Sequence, residues 1–299
     1  MSDLLRVEPS RGPLVAGGIV ALALASLLIG TRFDGDWSDG ALLLVSALPA
    51  LLAVAVSLLA PDEPVPPAPW LSAVLVTAFL LTVAALSDLA EVLGAEDGIS
   101  ASGTLTWVGV LATLLAAYFA WSRNSAICAL LAGASATITL LAFVDWIFDL
   151  DNPLKTFRWL LLLAAAGLAA ASVAVGAARE RHGTALVNTA GIAVFGLALT
   201  FAAEALVSAL SSAFTGGGAE TTAGWGWELV ILAGGLGLLA YAVLRREPGP
   251  GYLAAVNLLA FALISAQTED GPSLLGWPLV LLLISLGLLL AGLRRAPAG

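Results

Sequence analysis

Ten apolar runs of bilayer length follow one another along this chain, at about 14-30, 41-60, 70-87, 105-121, 125-144, 159-178, 184-210, 227-244, 251-267 and 275-293. A helix rising 1.5 Å per residue needs roughly 20 residues to cross a hydrocarbon core of about 30 Å. Most of the runs match that length. The seventh is longer and must tilt, kink or protrude. The runs are apolar on every face, whereas strands of a membrane barrel are about ten residues of alternating polarity. The expected fold is therefore all-α: a polytopic transmembrane helix bundle of about ten spans, forming one integral membrane domain over residues 1-299.

Composition rules out the soluble alternative. Of 299 residues, 60% are hydrophobic and 11% charged, against about 25% charged in an ordinary soluble domain. Lipid resolves the imbalance, because apolar side chains then face outward. Ahead of the first run, Asp3 and Glu8 offset Arg6 and Arg11. That is not the positive region of a secretory signal, so the run is read as a retained span.

The basic residues set an orientation. With alternate sides taken in order, Arg6, Arg11, Arg123, Arg179, Arg181, Arg245, Arg246, Arg294 and Arg295 fall on one side, nine of the twelve basic residues. The other side receives Arg32, Lys155 and Arg158. The positive-inside rule makes the first side cytoplasmic and places both termini there, in a prokaryotic plasma membrane. Most acidic residues of the loops, among them Asp34, Asp36, Asp39, Glu96 and Asp97, fall on the opposite side. Trp107, Trp159, Trp227 and Trp277 each open an inward-going span that closes on Arg123, Arg179, Arg245 or Arg294. These eight residues are expected to be membrane-interface anchors, since an indole is part apolar and part hydrated.

The outer tryptophans at 37, 107, 159, 227 and 277 are spaced by 70, 52, 68 and 50 residues. Long and short steps alternate, which suggests a tandem duplication of a four-span unit of about 120 residues. Phe79 to Asp88 aligns with Phe195 to Glu204, and Tyr118 and Arg123 with Tyr241 and Arg246. An even-numbered unit returns the chain to its starting side, so the copies would be parallel.

Ionisable and amide groups at membrane depth are the candidates for function. Asp88 and Glu204 occupy equivalent places in the repeat, where paired carboxylates at an external mouth would bind a cation or relay protons. Glu91, Asp145 and Glu228 stand near external span ends, where hydration is the simpler reading. Asn188 and Asn257, expected near the cytoplasmic ends of their spans, are amides that can bind helices together or contact a solute. His182, beside Arg181 in a loop, is expected to be solvated. Cys128 is the only cysteine, which excludes an internal disulfide, and is expected to be a small buried side chain. No metal cluster, nucleotide loop or catalytic constellation is visible, so no cofactor or enzymatic role is expected. Without a basic stripe, nucleic acid is not an expected partner. The expected partner is the lipid bilayer, with a second copy or another membrane protein beside it.

Gly251 to Arg295 (GYLAAVNLLAFALISAQ, then GPSLLGWPLVLLLISLGLLLAGLRR) resembles the tail of uncharacterised multi-pass membrane proteins of high-GC bacteria. The resemblance covers the last sixth of the chain and implies no activity. Two classes of function follow from the residues: an accessory or structural membrane protein, or a transporter of a small solute or cation using Asp88 and Glu204.

Overall fold

The computed structural model describes residues 9-33, 36-60, 67-95, 98-150, 152-215 and 223-265. They form nine α-helices: α1 (Gly12–Phe33), α2 (Asp39–Leu59), α3 (Pro69–Val92), α4 (Ser102–Ser122), α5 (Ala126–Phe148), α6 (Pro153–Gly176), α7 (Glu180–Thr215), α8 (Trp225–Arg245) and α9 (Pro248–Ser265). Each is long and apolar enough to cross a membrane, and the described residues contain no strand. The tenth apolar run, with Trp277 and Arg294, lies outside the described residues.

Helices outrun the apolar segments that announced them. The sixth begins at Pro153, six residues before the apolar run, and the fifth continues to Phe148. Backbone hydrogen bonding does not stop where hydropathy does, and the first turn tolerates polar side chains. Proline opens three helices, at Pro69, Pro153 and Pro248. It fits there because the first N–H of a helix has no internal acceptor and the fixed φ is helical. Pro248 to Gly251 thus form the first turn of α9. The reversal between α8 and α9 falls on Arg246, at φ 57°, and Glu247.

The contacts divide the chain into two compact units, residues 1-193 and 194-299, with the boundary inside α7. In the first unit, α1, α2 and α3 pack mutually and α4 forms a hairpin with α5. Trp70, Leu71, Val74, Leu75, Ala78 and Leu81 put one side of α3 at the centre of its core. The α4–α5 crossing is close because Gly109 has no side chain: a Cβ there would collide with the Thr139 hydroxyl. Ser135 Oγ donates to the Gly109 carbonyl across the same crossing (3.2 Å).

In the second unit α8 pairs with α9, and Gly235 lies against Leu258. Small residues at such crossings let backbones approach where lipid offers no hydrophobic drive between helices. Also in this unit, Gly234 faces Val194 of α7, and the Phe201 and Trp227 rings lie 6.1 Å apart. At 36 residues, α7 is the longest helix. It would extend about 54 Å, well beyond the core thickness.

Candidate functional site

Asp88 is the candidate with the best-defined environment. It is half-buried, one turn from the C-terminal end of α3. Its Oδ2 lies 2.5 Å from Ser46 Oγ on α2. Ser46 is buried, and its Oγ is also 3.2 Å from the Leu43 carbonyl of its own helix. The carboxylate therefore joins the first half of α2 to the last turns of α3. The sequence offered no signal for Ser46, since serines are scattered through several spans.

Glu204 is half-buried on α7, about 36 Å from the first residue of that helix and about 16 Å before its last. Asp88 belongs to the first compact unit and Glu204 to the second, and each is described within its own unit. Glu228, expected to be wet, is instead only 2% exposed in the first turn of α8. A carboxylate there gains from the positive end of the helix dipole.

The amides lie within helices. Asn188 is eight residues inside α7, about 12 Å along it, and its Oδ1 is buried without a hydrogen-bond partner among the described residues. Asn257 is fully buried in α9, nine residues after its first residue, Pro248. Its Nδ2 donates to the Leu253 carbonyl one turn back (2.9 Å).

Two grooves lie on the first unit. One, about 320 Å³, runs between α4 and α5 and is lined by Val110, Thr113, Leu114, Ala136, Leu140 and Phe143 among others. Another, about 310 Å³, runs between α1 and α2 past Ser26, Val45 and Pro49. Both are wide open and lined almost wholly by apolar atoms. None of Asp88, Asn188, Glu204 or Asn257 lines either groove. Among the described residues no three His, Cys, Asp or Glu side chains are grouped to hold a metal.

The anchors divide by place. Trp159 is exposed, whereas Trp107 and Trp227 are half-buried. Trp107 and Trp159 lie more than a turn inside their helices rather than at the first residue. Arg245 is exposed in the last turn of α8. Arg123 and Arg179 cap helix ends. Arg123, at the end of α4, donates to the carbonyls of Leu58 and Ala60 at the end of α2, the latter at 2.9 Å. Arg179, after α6, donates to the Trp121 carbonyl at the end of α4 (3.2 Å). The last carbonyls of a helix have no internal donor, and a cation there also meets the negative end of the dipole.

His182 completes this arrangement and corrects the solvated reading. It is 5% exposed, and its Nε2 lies 2.9 Å from the Ala120 carbonyl. A carbonyl can only accept, so Nε2 carries the hydrogen. The sequence missed this role because a short turn folds His182 back under the end of α4, 62 residues away. Arg158, which directly precedes the sixth apolar run, is buried in α6, as the helix begins before it. Cys128 is 1% exposed, as expected.

No protein-family model matches the chain, no curated protein is similar to it in sequence, and no solved structure is similar to it in fold.

Proposed function

We propose that this chain is a multi-pass protein of a prokaryotic plasma membrane whose helices serve assembly or the docking of a membrane partner, with no enzymatic role. One observation carries this reading. Asp88 is bonded to Ser46 across α2 and α3, the Asn257 amide is bonded to the Leu253 carbonyl within α9, and the two grooves of the first unit are apolar. A site that moves a solute needs convergent polar groups around a wet opening.

The arginine-bearing end is taken as cytoplasmic, with both termini there, on the strength of the basic-residue bias. A tandem four-span duplication is supported by α4 and α8, both 21 residues long and both followed by a helix they pack against. Transport of a small solute or cation is the second reading. It is favoured by the carboxylates held just inside helix ends, Asp88 on α3 and Glu228 on α8.

Reconstitution in liposomes separates the two. The accessory reading expects no ion or proton flux above empty liposomes, and a discrete cross-linked complex in native membranes. A pH-dependent flux lost in Asp88→Asn or Glu204→Gln would establish transport instead. Orientation is read by single cysteines in a Cys128→Ala background. A cysteine at 36-39 should react with an impermeant reagent from outside, and one at 124 only after permeabilisation. The reverse pattern would invert the topology.

A further inference from the structure

The end of the first unit where α2, α4 and α6 finish holds guanidinium groups in fixed positions. Arg179 donates one N–H to the Trp121 carbonyl, and its guanidinium carbon stands 4.3 Å from the centroid of the Trp121 ring. An arginine has five N–H donors in a planar fork that matches a phosphate. These two contacts leave most of that fork unused, and among the described residues no carboxylate is bound to Arg179. Arg123 stands two residues beyond Trp121, held by the end of α2. The indole beneath Arg179 is 74% exposed, at the end of a helix of membrane length. That is the depth at which an indole prefers the headgroup zone.

Among the described residues, the α4–α5 and α6–α7 turns and the first turn of α7 carry Arg123, Arg179 and Arg181 with Glu180, and Asp62 and Glu63 follow Ala60 in the sequence. The amino end of α5 begins three residues after Arg123 and adds the positive end of a 23-residue helix. His182 lies buried under this surface and holds the Ala120 carbonyl, so the turn carrying Arg179 is fixed to α4 by two hydrogen bonds.

We propose that Arg179, stacked on Trp121 and flanked by Arg123, binds the phosphate of an anionic phospholipid in the leaflet at this end of the bundle. The guanidinium fork takes the phosphate oxygens, and the exposed indole lies along the glycerol and upper acyl chain. The proposal rests on the reading of the chain as membrane-embedded. That reading has its own check: the protein must resist extraction from membranes by alkaline carbonate.

The test is native mass spectrometry of the full chain in detergent, titrated with phosphatidylglycerol or phosphatidylcholine. Wild type should bind phosphatidylglycerol in preference. Arg179→Gln should weaken that binding about tenfold or more, the loss expected for a charge-assisted hydrogen bond. Arg245→Gln removes one charge in the other unit and should leave the preference intact. Should Arg179→Gln fail to fold, Arg179→Lys keeps the charge but not the fork, and is still expected to weaken binding several-fold. Unchanged affinity in the variant that folds, or an equal loss in Arg245→Gln, overturns the site. If glycerol phosphate without acyl chains competes as well as the lipid, the lipid assignment is overturned in favour of a soluble phosphate.

Discussion

The hydroxyl of Ser26 on α1 donates to the carbonyl of Val45 on α2 at 2.9 Å. That carbonyl lies four residues before Pro49, which stands inside α2 and has no N–H to give it. In hydrocarbon an orphaned carbonyl is expensive, and a neighbouring serine is one of the few groups able to answer it. Ser26 continues the buried seam of α1 formed by Ala16, Ile19 and Ala23, so it is aimed at its acceptor by the same packing that joins the helices.

Ser26→Ala should therefore destabilise the protein by about 1–3 kcal/mol, the penalty for a buried unsatisfied acceptor. In a Pro49→Ala background residue 49 regains its N–H, and the same serine substitution should become nearly neutral. Denaturation in mixed micelles as a double-mutant cycle measures the difference. Additive losses would show that Ser26 does not serve the carbonyl freed by Pro49.

The α4–α5 crossing makes a sharper steric prediction. Gly109→Ala should cost on the order of 1–3 kcal/mol, because its Cβ would meet the Thr139 hydroxyl. Thr139→Ala should relieve much of that loss. Gly167 on α6 has nothing within 4 Å of a Cβ. Gly167→Ala should be neutral or stabilising by up to about 1 kcal/mol, since alanine is the better helix former. Melting in detergent by circular dichroism ranks the three variants.

Arg123 is predicted to stabilise the end of α2 rather than only to sit among headgroups. Arg123→Ala should destabilise by on the order of 2 kcal/mol, as two carbonyls lose a charged donor. Hydrogen exchange should rise first in the last turn of α2. Arg123→Lys should recover part of the loss, since lysine keeps the charge but cannot reach two carbonyls as a fork. Faster exchange confined to α4 would contradict the capping role.

Cys128 offers a probe of the first unit as a whole. It is buried, and its N–H bonds the side chain of Ser125 at the start of α5. A small permeant thiol reagent should modify it at least tenfold faster in sodium dodecyl sulfate than in mild detergent, where reaction waits on opening of the packed helices. Equal rates would mean that this core is not closed.

The helices were legible because hydrophobic length is a per-residue signal that lipid makes nearly sufficient. Their ends were less so. Lys155 and Arg158 break the apolar pattern of α6 without breaking its backbone hydrogen bonds, so polarity and helix boundary part company there. The start of α9 at Pro248, three residues before its apolar run, is hidden in the same way, since proline forbids the middle of a helix and favours its beginning. The candidate groups fared differently. Asp88 could be picked out as an ionisable residue in an apolar run. Its partner Ser46, the burial of Glu228 and the reach of His182 to Ala120 depend on which helices become neighbours, and residues 42 to 62 positions apart carry no local sign of it.

The caps at the arginine-bearing end also impose an order in time. Arg123 reaches a carbonyl of α2 that is 63 residues earlier in the chain, and His182 reaches one of α4 that is 62 residues earlier. At a synthesis rate of about 5–20 residues per second, each helix end waits roughly 3–13 s for the residue that closes it. A newly inserted α2 therefore stands with open carbonyls until the α4–α5 hairpin has formed, and α4 waits in turn for the start of α7. Insertion of this bundle is a relay, in which the completion of each earlier helix is deferred to a later one.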